Sequence, residues 1–148
     1  MENEILQIVL ADDDEADRLL FLEAFGELKL NTQIHTVNDG TELMDYLINR
    51  GGPTPYLLFL DINMPKKNGL ECLKEIRANN KFKDISIAIY STSSSDLDIE
   101  DAFVNGANVY IRKPNNFNDL KEVLRKAVVD AKIYKSPPFN ISNFLLKI

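Results

Sequence analysis

Asp61 closes an apolar run, Tyr56-Leu57-Leu58-Phe59-Leu60, and opens the segment Asp61-Ile62-Asn63-Met64-Pro65-Lys66-Lys67-Asn68-Gly69. A carboxylate so placed can attack phosphorus and form an aspartyl phosphate. Two other groups complete such chemistry. Asp12-Asp13-Asp14 follows the apolar run Ile5 to Ala11, and Lys113-Pro114 follows Ala107 to Arg112. Carboxylates brought together repel one another and raise at least one pKa unless a cation offsets them. Oxygen ligands from carboxylates, a backbone carbonyl and water suit Mg²⁺, which keeps several waters and often takes its remaining ligand from phosphate. A lysine can neutralise the charge that spreads over a transferring phosphoryl group.

Each part also has a plainer reading. Asp12 to Asp14 can be a helix cap with acids in the first turn, and Asp14 is expected to be that cap. Lys113 alone reads as a surface lysine lying along a turn. Pro114 fixes the chain beside it, and a cis Lys113-Pro114 bond would aim the ammonium into the crevice. The hydroxyl cluster Ser91-Thr92-Ser93-Ser94-Ser95 suits a polar loop and a cap, yet at a strand end Ser91 could donate to a phosphoryl oxygen.

The elements that must position these groups alternate along the chain. Strands are expected near Ile5 to Ala11, Gln33 to Val37, Tyr56 to Leu60, Ser86 to Tyr90 and Asn108 to Ile111. Helical spacing between them groups Ala16, Leu19, Leu20, Ala24 and Phe25, then Leu43, Met44, Leu47 and Ile48, then Leu70, Leu73, Ile76 and Arg77. A weaker fourth pattern, Ile99, Ala102 and Phe103, stops at Gly106; the fifth carries Leu120, Val123, Leu124, Ala127, Val128 and Ala131. Strict alternation implies a doubly wound α/β fold, with five parallel strands in the flavodoxin-like order 2-1-3-4-5. Strands one and three then adjoin at the switch point, where Asp12, Asp13 and Asp61 meet.

The chain has 148 residues, 45% of them hydrophobic, enough for one domain with its own core. A net charge of −6 and a pI near 4.8 argue against direct nucleic-acid binding. Cys72 is the single cysteine, so no internal disulfide can form, and it is expected to be a small buried hydrophobe on the third helix. The N-terminus lacks signal-peptide features and no apolar run approaches the roughly 20 residues that span a bilayer, which favours a cytoplasmic protein without a membrane segment. His35, the sole histidine, is expected to be a surface or packing residue away from the crevice.

Taken together, these residues resemble the receiver domain of two-component response regulators, over about Ile5 to Lys132. Asp12-Asp13 match the acidic pair, and Asp61-Ile62-Asn63-Met64-Pro65 with Gly69 the phosphoacceptor strand and loop. Ser91 matches the switch hydroxyl, Tyr110 the switch aromatic and Lys113-Pro114 the lysine-proline pair. The resemblance implies that Asp61 accepts phosphate from a histidine kinase or phosphotransfer protein. It also implies that Asp13 and the Asn63 carbonyl ligate Mg²⁺ directly while Asp12 helps through water. Lys113 and Ser91 would contact the phosphoryl group, Ser91 and Tyr110 would switch, and Asn63 and Ser93 would tune hydrolysis. Met64-Pro65-Lys66-Lys67 and the serine-rich loop are most similar to single-domain, CheY-like regulators associated with phytochrome kinases. Ser91 in place of the commoner threonine removes a methyl but keeps the hydrogen-bonding capacity.

Other readings fit less well. A phosphatase of the haloacid-dehalogenase type needs a second acid two residues after the nucleophile, where Asn63 stands. A flavodoxin-like FMN carrier would need a phosphate loop where three aspartates lie. A phosphorylation-independent interaction module would not need every one of these groups. The receiver reading, a phosphoacceptor rather than an enzyme, switching a surface for a downstream protein target, is preferred. The receiver domain is placed at residues 1–134 and an apolar tail at 135–148, with no output domain expected. Helix five should stop before Pro137-Pro138. The tail, Phe139 to Ile148, could fold back on its domain, pair with a second copy as a homodimer, or bind an output partner.

Overall fold

The structure, a computed structural model, describes residues 4–51, 54–133 and 141–146. Five strands, β1 (Leu6–Ala11), β2 (Thr32–Val37), β3 (Leu57–Leu60), β4 (Ser86–Ser91) and β5 (Val109–Arg112), alternate with five helices. These are α1 (Glu15–Leu28), α2 (Gly40–Asn49), α3 (Gly69–Arg77), α4 (Asp96–Val104) and α5 (Phe117–Ile133). All strand pairs are parallel, in the order β2-β1-β3-β4-β5. The expected doubly wound α/β fold is thus the observed one. Every strand lies within two residues of its expected bounds.

The sheet divides the core by residue parity, because successive side chains on a strand point to opposite faces. Val9, Ala11, Leu58, Leu60, Ile87, Ile89 and Tyr110 pack with residues of α2, α3 and α4. Ile8, Leu10, Leu57, Phe59, Ala88, Tyr90 and Ile111 pack with α1 and α5. Within the second layer Phe21 lies 5.0 Å from both Phe25 and Phe59, and 5.8 Å from Tyr90. Such ring pairs contribute about 0.5–1.5 kcal/mol each beyond the area they bury. This aromatic group sits beneath the crevice and fixes Tyr90, which the site uses.

The α5 face is as the spacing predicts, with Leu120, Val123, Leu124, Ala127, Val128 and Ala131 all buried. The α1 face is not. Leu19 and Leu20 are 60% and 45% exposed, and the buried residues are Phe21, Ala24, Phe25 and Leu28. Leu19 to Leu22 is a continuous apolar run, so periodicity there has no phase; ring packing against Phe59 and Tyr90 chooses the face. Ile48, grouped with the α2 face, is likewise exposed. The expected end of helix five at Lys135-Ser136, and Phe139 and Ile148 of the tail, lie outside the described residues. Of that tail, Ile141–Asn143 forms a short 3-10 turn and Phe144 is fully buried.

Candidate phosphoacceptor site

The site stands at the carboxyl ends of β1, β3, β4 and β5. Ala11 pairs with Leu60 across the ladder, so Asp12 and Asp61 follow at the same level. The Asp61 amide donates to Ala11 O at 3.0 Å and the Asp12 amide to Val37 O at 3.1 Å, so both main chains are held by their neighbours. Asp12, Asp13 and Asp61 present carboxylate oxygens that all lie within 4.8 Å of one another. Asp12 is fully buried and Asp61 nearly so, whereas Asp13 is exposed. Asp14 caps α1, accepting from the Asp17 amide at 2.9 Å, as expected.

Lys113 is the counter-charge. Its Nζ lies 2.8 Å from Asp12 Oδ2, 2.8 Å from Asp17 Oδ2 and 3.1 Å from Asp61 Oδ2. It also stands 5.3 Å from the centroid of the Tyr90 ring, a cation–π contact. Burial alone would drive the ammonium toward its neutral form, but Asp12 and Asp17 at contact distance, with the charge of Asp61, hold its pKa above the ordinary lysine range. Asp12 is shifted in the opposite sense for a carboxyl. Burial pushes it up to about 6, and Lys113 and the Asp14 amide only partly offset that cost. The approach of Lys113 to Asp12 Oδ2 is an ion pair without hydrogen-bond geometry, so this buried oxygen has no directed donor. A buried acceptor lacking a donor, beside two more carboxylates, fits a hard cation.

The backbone reaches this arrangement without the expected cis bond. No described peptide bond is cis, so Lys113-Pro114 is trans. The Lys113 amide, on the residue before the proline, donates to Ser91 O at 2.9 Å and continues the β5 ladder by one residue, and Lys113 Nζ reaches the carboxylates with the next peptide bond trans. Trans is the ordinary preference where nothing demands otherwise.

The loop after Asp61 is shaped by close approach. The Gly69 amide donates to Ile62 O at 2.8 Å, and a Cβ at Gly69 would stand 2.0 Å from the Asp61 carbonyl oxygen. Lys66 adopts φ 67°, and the Lys67 amide donates to Pro65 O at 2.7 Å, closing a three-residue turn. Asn63 stands exposed on this loop, and Asn68 caps α3 through a reciprocal box with Glu71.

Ser91, at the end of β4, is fully buried, and its Oγ accepts from the Ser93 amide at 3.1 Å. Tyr110 is also fully buried and donates its hydroxyl to Ser93 O at 2.9 Å. Burial raises the Tyr110 pKa, while contacts with Ser93 and Ser91 pull it down. Ser93 itself turns toward α4: its hydroxyl donates to Asp98 Oδ2 at 2.7 Å. It is therefore bound to the α4 start rather than to a crevice carboxylate. His35 stacks on Tyr46 at 4.2 Å on β2, away from the crevice, and Cys72 is fully buried on α3.

Comparison with known proteins decides the family. The family model for the response regulator receiver domain matches residues 8–125. This chain belongs to the response regulator receiver domain family. Probable methanogenesis regulatory protein FilR2 of Methanothrix harundinacea is 34% identical over 80% of this chain and 79% of its own. Response regulator Rcp1 of Synechocystis sp. is 31% identical over 80% of this chain and 83% of its own. The structure of the phosphorylated cyanobacterial phytochrome response regulator RcpA superposes with a TM-score of 0.82 at 31% identity, covering 91% of this chain and all (100%) of that one. The Mn²⁺-bound form of Rcp1 superposes at 0.78 and 28% identity, over 90% and 99%. The similarity to phytochrome-associated receivers expected from Met64 to Lys67 is thus shared across the fold.

Two receiver residues were not singled out from sequence. Asp17 reads as one more first-turn acid, yet its place three residues after the cap turns its carboxylate onto Lys113. Arg18 donates Nη1 to the Asp12 carbonyl at 2.9 Å and stiffens the acidic strand end. The helical spacing from Asp14 was the available signal.

Proposed function

We propose that this receiver accepts a phosphoryl group on Asp61, with Mg²⁺, from a histidine kinase or phosphotransfer protein in the cytoplasm, and thereby switches a protein-binding surface. The observation that carries the reading is the convergence of three aspartates and Lys113 on one small crevice. An Asp61 carboxylate oxygen attacks phosphorus of a phosphohistidine. The new P–O bond forms as the P–N bond breaks, and the electron pair leaves with the imidazole nitrogen. Asp13, Asp61 and the Asn63 carbonyl would hold the cation, with Asp12 through water, and the cation would neutralise charge on the transferring group. Relatives known in phosphorylated and Mn²⁺-bound forms support both parts.

Lys113 has two tasks in sequence. Before transfer it offsets Asp12, Asp17 and Asp61; once Asp61 carries the phosphoryl group, its ammonium pairs with a phosphoryl oxygen instead. Ser91 donates its hydroxyl to another. The pull on Ser91 passes to Ser93, whose amide donates to it, then to Tyr110, whose hydroxyl donates to Ser93 O, and so to the face formed by α4, β5 and α5. The protein is a phosphoacceptor and not an enzyme acting on other substrates; Asn63 and Ser93 tune how long the acyl phosphate lasts.

Titration with Mg²⁺ and beryllofluoride, which mimics a phosphoryl group on a carboxylate, tests this. Saturable binding by the native chain, lost in Asp61→Asn and weakened in Asp13→Asn, is the expected result. Equal binding by Asp61→Asn would overturn it.

A further inference from the structure

The last described segment is seated on the edge of the sheet. The Tyr110 amide donates to Phe144 O at 3.0 Å and the Leu146 amide donates to Tyr110 O at 2.9 Å, with Leu145 bridged to Tyr110 in parallel. This is strand addition to an open edge, the mode by which extended peptides bind sheets. Phe144 is fully buried, 5.4 Å from Phe103 of α4 and 6.1 Å from Tyr110. Leu145 packs on the core layer of α2 to α4, and Leu146 on that of α1 and α5. The segment therefore closes the edge of β5 and touches both core layers.

One residue connects this segment to the phosphoacceptor site. Both main-chain groups of Tyr110 are spent on the tail, while its hydroxyl is spent on Ser93. Ser93 in turn donates its amide to Ser91. Phe144 is buried against the Tyr110 ring, 6.1 Å between centroids, so the docked tail holds that ring where its hydroxyl reaches Ser93. We infer that Phe144–Leu146 is a resident peptide ligand of the β5 edge whose docking favours the phosphorylated arrangement of the site, through Tyr110, Ser93 and Ser91. The inference rests on the reading of Asp61 as phosphoacceptor. Coupling between two sites is reciprocal, so occupancy of Asp61 strengthens tail docking by the factor with which the tail strengthens occupancy.

The full chain is tested as Phe144→Ala, which removes the ring, and as Leu146→Pro, which removes a single main-chain donor and survives if the cavity variant does not fold. Affinity for beryllofluoride with Mg²⁺ is measured together with hydrogen exchange at the Tyr110 amide, which donates to Phe144 O, in every form, and at the Leu146 amide in the native chain and Phe144→Ala. Protection of the Leu10 amide in β1 reports that the sheet is intact. Expected is a loss of affinity of about fivefold or more in either variant, with slower exchange at Tyr110 when beryllofluoride binds the native chain. Unchanged or tighter binding in a folded variant whose Tyr110 amide has lost protection would overturn the inference and leave the proposed function standing. No binding by the native chain would overturn both.

Discussion

Asp12 shows how one residue can be stable in this fold and useful to it. Its burial raises the carboxyl from the ordinary 3.8 to about 6, so the metal-free protein holds that proton more tightly folded than unfolded. The sign follows: Asp12 stabilises the fold below about pH 4 and loses that contribution as pH rises to about 6. A cation must displace the proton below that pH. Mg²⁺ affinity should therefore fall as pH drops from 7.5 to 5, by at most about tenfold per unit, and the part due to this site should vanish in Asp12→Asn. Isothermal titration across that range measures it; a flat profile would contradict the assignment. Cys72 gives the opposite case, a group kept out of chemistry. Burial pushes its thiol up to about 12, so alkylation at pH 8 should proceed only through unfolding and accelerate with urea in step with the loss of structure.

At the scale of elements, the loop from Asp61 to α3 is the tightest part of the site. Alanine is normally a better helix residue than glycine by about 1 kcal/mol. At Gly69 the sign should reverse, because the new Cβ would meet the Asp61 carbonyl at 2.0 Å and that oxygen is main chain. Gly69→Ala should destabilise by about 2 kcal/mol or more, read from the urea midpoint, and weaken beryllofluoride binding as Asp61 is displaced. Unaltered stability would mean the loop can yield without cost. β1 and β3 were legible because each is a short apolar run that leads to an aspartate, as Leu57–Leu60 leads to Asp61. The α1 face was not legible, since Leu19 to Leu22 is apolar throughout and only the rings of Phe59 and Tyr90 select Phe21 and Phe25. Nor was the trans Lys113-Pro114 bond, because a peptide bond before proline differs by only about 0.5–1 kcal/mol between isomers and the residue types alone do not choose.

The whole molecule places its chemistry and its surface on opposite ends of one short path. Carboxylates and Lys113 gather where β1 and β3 adjoin, and Ser91, Ser93 and Tyr110 lead from there to the sheet edge. Among the described residues no helix is long and apolar enough to cross a membrane. The sequence offered three fates for its apolar tail, and residues 141–146 take the first by closing β5 in cis. That outcome could not be read from composition, because it turns on the two free main-chain groups of Tyr110. The central claim is that Asp61 carries the phosphoryl group. Intact mass after incubation with Mg²⁺ and acetyl phosphate tests it most directly, with Asp61→Asn and an EDTA-treated sample alongside. A metal-dependent gain of one phosphoryl in the native chain alone is the predicted result. An adduct that persists in Asp61→Asn, or none in the native chain, would contradict the account.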